Sequence, residues 1–319
     1  MHGDCTYLSS VQRSPIDNNI SLRISMLSAL TNSLAPILLL ICLGFFLGKK
    51  TDYLENPSLA ALVSNLGLPA LLLYSVLSMQ MQIFSMLKII AATALVLVLM
   101  SLMSFVFLKA LKLPTRFYLP PLVNPNTGNL GIPVAYALFG AEGMAIAVVI
   151  SSVVQISHFT LGVGFMSGTY HPKQLLKNGP VIALVVGALF LSFNISLPAP
   201  LMNTLNMLSH ITLPIMLMLL GNSISGLSVK ESSKIGRASL LSLFRPVIGA
   251  LCACLVVYFF PLNHLEGSVL IVLSTMPVAV ISYMLASKYK GPVDEIALMI
   301  LLSLPLSLCA VGLLWWLYL

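Results

Sequence analysis

From about residue 27 onward the chain divides into ten apolar runs, each near the length of about twenty residues that a helix needs to cross a bilayer. The runs fall at 27–47, 57–78, 87–111, 117–139, 143–167, 180–197, 200–225, 237–260, 266–288 and 293–317. Apolar residues make up 58% of the chain and charged residues 8%, which leaves little room for a large soluble domain. The reading is an all-α polytopic membrane protein behind a polar N-terminal tail, residues 1–25. That tail has no signal-peptide core, and Met26 directly precedes the first run, so translation is expected to begin there. A net charge of +7 would suit nucleic acid, but Lys and Arg fall in short clusters between runs, so no nucleic-acid partner is expected.

Those clusters orient the chain. The first, third, fifth, seventh and ninth connections carry twelve Lys and Arg residues, whereas the opposite side carries Arg13, Arg23 and Lys88. Cytoplasmic loops retain positive charge, so both termini are expected outside.

One run violates ordinary helix rules. Asn124 to Gly140 reads NPNTGNLGIPVAYALFG, and Pro120, Pro121, Pro125 and Pro133 all fall in the fourth run. Each proline removes a backbone donor, and unpaired peptide groups are not tolerated against lipid. The fourth run is therefore expected to break where it lines an enclosed cavity, as in transporters built on broken helices. Pro125, Gly131 and Pro133 are its candidate hinge residues.

A repeat supports that reading. Pro36, Pro69 and Pro133 recur as Pro180, Pro214 and Pro277 at offsets of 144, 145 and 144, and Pro133-Val134-Ala135 returns as Pro277-Val278-Ala279. Residues 26–168 and 169–319 then form two repeats of five spans each. Five is odd, so the second repeat enters the membrane inverted, and broken crossover helices are expected in spans 4 and 9, with the fourth more strongly unwound.

Asn126, with the backbone N–H groups of Thr127, Gly128 and Asn129, is the leading substrate-binding candidate, since the positive end of a half-helix favours an anion. The alternative is that Asn126 satisfies freed carbonyls. Arg245, directly before Pro246, is the only basic residue deep in a span; it either faces a cavity and a carboxylate or snorkels to the headgroups. Ser274 and Thr275 precede Pro277 at the second break. Gln155, His158 and His210 read as helix-to-helix glue. No acidic residue lies in a span core, so a carboxylate proton relay is not expected. The cysteines lack metal spacing, HExxH and GxSG are absent, and GNSIS at Gly221 to Ser225 only approaches the latter. No cofactor, metal or enzymatic activity is expected.

The stretch from Asn126 through Gly131-Ile132-Pro133 to Phe139-Gly140 resembles the N-x-x-x-x-G-x-P fourth-span signature of the auxin efflux carrier (AEC) family, which includes plant auxin carriers and bacterial permeases for malate or malonate. Lys177-Asn178, Pro277-Val278-Ala279, Leu285-Ala286, Lys288-Tyr289 and the LLSLPLSL run at Leu301 to Leu308 extend the resemblance from about residue 27 to the end. It implies a dimerising scaffold of spans 1, 2, 6 and 7, and a transport domain of spans 3–5 and 8–10 that moves like an elevator. It also implies that Asn126 and Asn178 hold a substrate carboxylate, although Asn178-Gly179-Pro180 carries its proline one residue late. The short connection between spans 5 and 6 resembles a bacterial inner-membrane permease.

The expected function is secondary active or facilitative transport of small organic anions, with a proton or sodium ion as the candidate coupling ion, by a homodimer in the bilayer. A sodium-coupled bile-acid-type symporter and a non-transporting membrane receptor or scaffold are the alternatives.

Overall fold

The computed structural model describes residues 35–54, 57–78, 82–168, 179–226 and 235–318. The expected tail, the start of the first span and Asn178 lie outside the described residues. Within them the chain is helical almost throughout, with one isolated bridge and no strand. The helices are α1 (35–50), α2 (Pro57–Leu62), α3 (Leu68–Ser78), α4 (Ile83–Ala110), α5 (Thr115–Val123), α6 (Ile132–Ser157) and α7 (Val163–Ser167). There follow α8 (Gly179–Ser192), α9 (Ala199–Ser225), α10 (Ile235–Phe259), α11 (His264–Ser274), α12 (Val280–Lys288) and α13 (Val293–Tyr318).

Among the described residues, five segments are long and apolar enough to cross a membrane: Ile83–Ala110, Thr127–Ser167, Ala199–Ser225, Ile235–Phe259 and Val293–Trp316. Shorter apolar helices cover Asn65–Ser78, Val181–Ser192 and His264–Ser274. At 28 residues α4 is roughly 42 Å long, more than a hydrocarbon core of about 30 Å. Its uncovered face carries Leu95, Val98, Leu102 and Val106, and that of α10 carries Leu240, Leu243, Val247 and Leu251. Helices apolar on both the packed and the open side are suited to lipid rather than water.

The 41-residue segment from Thr127 to Ser167 is divided at Gly140, whose φ of 67° and ψ of −158° lie outside the reach of ordinary side chains. A Cβ there would meet open space, so the requirement for glycine is conformational rather than steric. The bend divides the expected fourth span from the fifth.

Two packing regimes divide the molecule. In the first, α1 lies against α9 and α9 against α3, through glycines. A Cβ on Gly44 would run into the backbone of Met218, one on Gly221 into the Ile41 carbonyl and the Phe45 amide, and one on Gly67 into Thr212. Such positions let helix backbones approach more closely than any side chain allows. In the second, α4–α7 and α10–α13 are tied by polar bonds. Lys88 pairs with Glu266 at 3.4 Å, joining α4 to α11. Glu295 of α13 accepts from Tyr118 of α5 and from Arg237 of α10, whose Nε lies 2.7 Å away. Arg116 donates through Nε and Nη2 to the Met166 carbonyl at 3.1 and 2.9 Å. Within the glycine-packed group Asn222 Nδ2 donates to the Leu54 carbonyl at 3.1 Å.

Candidate functional site

The site begins where two helices stop. The α5 helix takes Pro120 and Pro121 into its last turns and ends at Val123, and after Asn124, Pro125 and Asn126 the chain resumes as a π-helical turn, Thr127–Gly131, leading into α6. The α11 helix ends at Ser274 and the chain resumes as α12 at Val280. The interruption is three residues long in the first case and five in the second, so the fourth run is the less unwound of the two, contrary to expectation. Its prolines are absorbed by helical turns on either side, whereas Thr275 to Ala279 stay outside any helix.

The two interruptions touch. Pro125 and Val278 form an isolated antiparallel bridge, and the Asn126 amide donates to the Pro277 carbonyl at 2.9 Å. In a pair of this kind the bonds run between the flanking residues, so the missing N–H groups of Pro125 and Pro277 are not called on, and Pro277 enters only through its carbonyl. The Val278 amide is satisfied elsewhere, by Ser303 Oγ of α13 at 3.0 Å. Gly131 packs where the two chains pass: a Cβ there would lie 3.2 Å from Leu273 Cγ and 3.3 Å from Met276 Cγ. Pro133 sits in the first turn of α6, away from the bridge, and does not hold the contact open. The equal offsets that pair it with Pro277 do not mark the break, because the π-helical turn separates Pro133 from the interruption.

Beside the contact lies a cavity of about 360 Å³. Asn126, Thr127, Gly128 and Asn129 form one wall, Gln155 and His158 another, and Asn222 and Ser223 of α9 face them, with Ala279, Val280 and Ile281 at the start of α12. The Thr127 amide turns back to the Pro125 carbonyl at 2.8 Å, and the amides that follow it and those opening α12 lie at helix starts, so two half-helix N-termini, each carrying partial positive charge, open on one space. Asn126 is 5% exposed, and its side-chain amide has no hydrogen-bond partner among the described residues. Thr127 Oγ1 is already committed to Ser151 Oγ at 3.2 Å. Three π-helical turns, Val63–Gly67, Thr127–Gly131 and His158–Gly162, all reach this cavity, and each closes on a glycine. Such turns collect at functional sites.

Three expected ligands lie elsewhere. Arg245 does not line the cavity and does not snorkel; it is 0% exposed and donates through Nη1 to the Ser274 carbonyl at 2.9 Å. It thus caps the carbonyl end of α11, the end of negative partial charge. Gly249 makes room, since a Cβ there would overlap that same carbonyl. Ser274 borders a small gap with Pro125 and Thr127 rather than the cavity, and Thr275 Oγ1 bonds back to the Ile271 carbonyl at 2.7 Å. Conversely, Gln155, His158, Asn222 and Ser223 face the cavity although their sequence context read as glue or a failed motif. The spacing of three between Gln155 and His158 was the available signal, but a shared face does not say what that face meets.

Interrupted helices that meet beside a cavity with polar groups in its wall are an arrangement that many secondary transporters share. The model of the membrane transport protein family matches residues 29–179 and 166–315, and the chain belongs to this family, which is the auxin efflux carrier family of the resemblance above. It is 31% identical over 203 residues to an uncharacterized transporter of Methanocaldococcus jannaschii, covering 61% of this chain and 65% of that protein. It is 27% identical over 194 residues to an uncharacterized transporter of Methanothermobacter thermautotrophicus, covering 59% of this chain and 63% of that protein. In both cases the chain thus spans less than two thirds of the relative's length.

Proposed function

We propose that the protein carries small organic anions, with a carboxylate as the group recognised, across the membrane by elevator-type alternating access. The observation that carries this reading is the bonded contact of two interruptions beside a cavity into which an unpartnered Asn126 amide and two half-helix N-termini open. Among the described residues no Lys or Arg lines that cavity, and the donors they offer the anion are neutral. Arg245 would act indirectly: by capping the carbonyl end of α11 it offsets a negative pole and leaves the positive ends to set the local potential.

The sorting of bonds supports the division of labour. The polar-tied helices α4–α7 and α10–α13 would form the moving body and the glycine-packed α1, α3, α8 and α9 the fixed one, corresponding to spans 3–5 with 8–10 and spans 1, 2, 6 and 7 of a ten-span inverted plan. Each body is held by its own bonds, Asn222 to Leu54 in the one and Glu295, Arg116 and Lys88 with their partners in the other, so each could move as a unit. The cavity of about 360 Å³ lies toward Leu54 and the end of α9, the side that loop charge assigns to the cytoplasm, so the state described would be open inward with both termini outside. A homodimer formed through the fixed body and coupling to a proton or sodium complete the proposal.

The test is uptake of labelled mono- and dicarboxylates into proteoliposomes, with and without sodium and at two pH values. Asn126→Ala is expected to abolish uptake while the protein elutes as folded material. Unchanged uptake would remove Asn126 from the site, and strict sodium dependence would favour a bile-acid-type symporter.

A further inference from the structure

A second cavity, of about 480 Å³, lies on the other side of the helix contact and shares no lining residue with the first. Its walls come from both packing regimes: α1, α3 and α9 on one side, with Leu71, Tyr74 and Ser75 among them, and α6 on the other, with Pro133, Tyr136 and Ala137. This volume falls in the range that encloses a drug-sized molecule. Among the described residues no Asp, Glu, Lys or Arg lines it, so an ionised head would have only hydroxyls and the His210 ring to meet it, against mainly apolar walls.

Polar groups are nonetheless present. Ser75 is 1% exposed, lines the cavity, and its hydroxyl has no hydrogen-bond partner. A buried hydroxyl left without a partner is unusual and calls for a ligand or solvent group. On α9, Pro214 has no N–H to bond the carbonyl of His210 one turn back, which frees that carbonyl at the same level. His210 engages the Asn206 carbonyl through Nδ1 at 2.9 Å, so its Nε2 remains available. The inventory is therefore an apolar enclosure with a few neutral donors and acceptors.

We propose that this cavity is a binding site for an uncharged amphiphile with an apolar body and a single hydroxyl head, the head bonding to Ser75 and the body packing between α3 and α6. The occupant touches both bodies at once, so it wedges them together. That it arrests transport rests on the carrier reading; that it binds does not.

The test uses the full chain in proteoliposomes and a twelve-carbon aliphatic alcohol bearing a diazirine, photolysed and mapped by mass spectrometry. Adducts are expected on Leu71 to Ser78 of α3 and Pro133 to Met144 of α6. Dodecanol is expected to compete at least about tenfold better than dodecanoate at a pH where the acid is ionised, as an uncompensated buried charge requires. Ala137→Phe, which fills the space, should remove the adducts. Ser75→Ala keeps the volume and should weaken competition by about fivefold, the worth of one hydrogen bond, which preserves the test should the larger substitution misfold. Adducts confined to lipid-facing Met207 and Ile211, or labelling indifferent to both substitutions, would overturn the site. Labelling without inhibition of uptake in a transport-competent preparation would overturn the wedge alone, and a preparation that labels but never transports counts against the carrier reading.

Discussion

The two halves of the packing solve the same problem with different chemistry. Around α9, cohesion comes from what is missing: at Gly44 and Gly221 backbones close on one another, and Gly48 and Gly67 admit the side chains of Asn222, Ser225 and Thr212. Around α10, cohesion comes from what is present: Glu295 joins Tyr118 and Arg237, Arg245 caps α11, and Ser303 holds Val278. In lipid, the apolar drive that packs helices in water is lost, so either close van der Waals contact or polar bonding must replace it. Close contact suits a part that stays in register with its neighbours. Bonded networks suit a part that contains broken helices, because peptide groups freed by the breaks need partners wherever the part goes.

The comparison can be broken most severely at Gly221. Gly221→Leu forces a side chain into the Ile41 and Phe45 backbone, with an expected cost of about 3 kcal/mol; the folded fraction in size-exclusion chromatography should fall sharply. Next comes Arg245→Met, which leaves the Ser274 carbonyl without its donor at an expected cost of about 2 kcal/mol. The thermal midpoint should fall and anion uptake should drop more than the midpoint alone explains, with partial rescue in Arg245→Lys. Gly140→Ala imposes a side chain on a positive-φ bend and should cost about 1–2 kcal/mol without altering substrate affinity, read by thermal melting beside uptake kinetics. The smallest effect is expected from Glu295→Gln: Arg237 is 40% exposed, so solvent screens the pair to at most about 1 kcal/mol. A collapse of folding in Glu295→Gln, or tolerance of Gly221→Leu, would invert the assignment of the two regimes.

Much of the framework was legible from residues alone. Apolar run lengths forecast the long helices, and the prolines around Asn124 and at Pro277 forecast two interruptions, because a missing N–H is a local covalent fact. Asn126 likewise stands out by its place beside Pro125, and it lines the cavity wall. Legibility ended where a role depends on a distant neighbour. Arg245 reads equally well as a ligand or a snorkelling cation until Ser274 is seen at 2.9 Å. Pro133 matches Pro277 by offset, yet the π-helical turn moves it out of the break. Gln155 and His158 share a helical face in any reading, but the cavity they border is made by α9 and α12.

The sequence by itself determined that this chain lies in a membrane, that two of its helices break, and which family it resembles. Those properties follow from side-chain hydrophobicity, backbone donors and motif identity, all carried by contiguous residues. Only the tertiary structure decided which freed groups meet, which glycines face a backbone, and that two cavities flank the contact. Each of these depends on segments far apart in the chain arriving within a few ångströms, a condition that spacing along a single strand of residues does not encode.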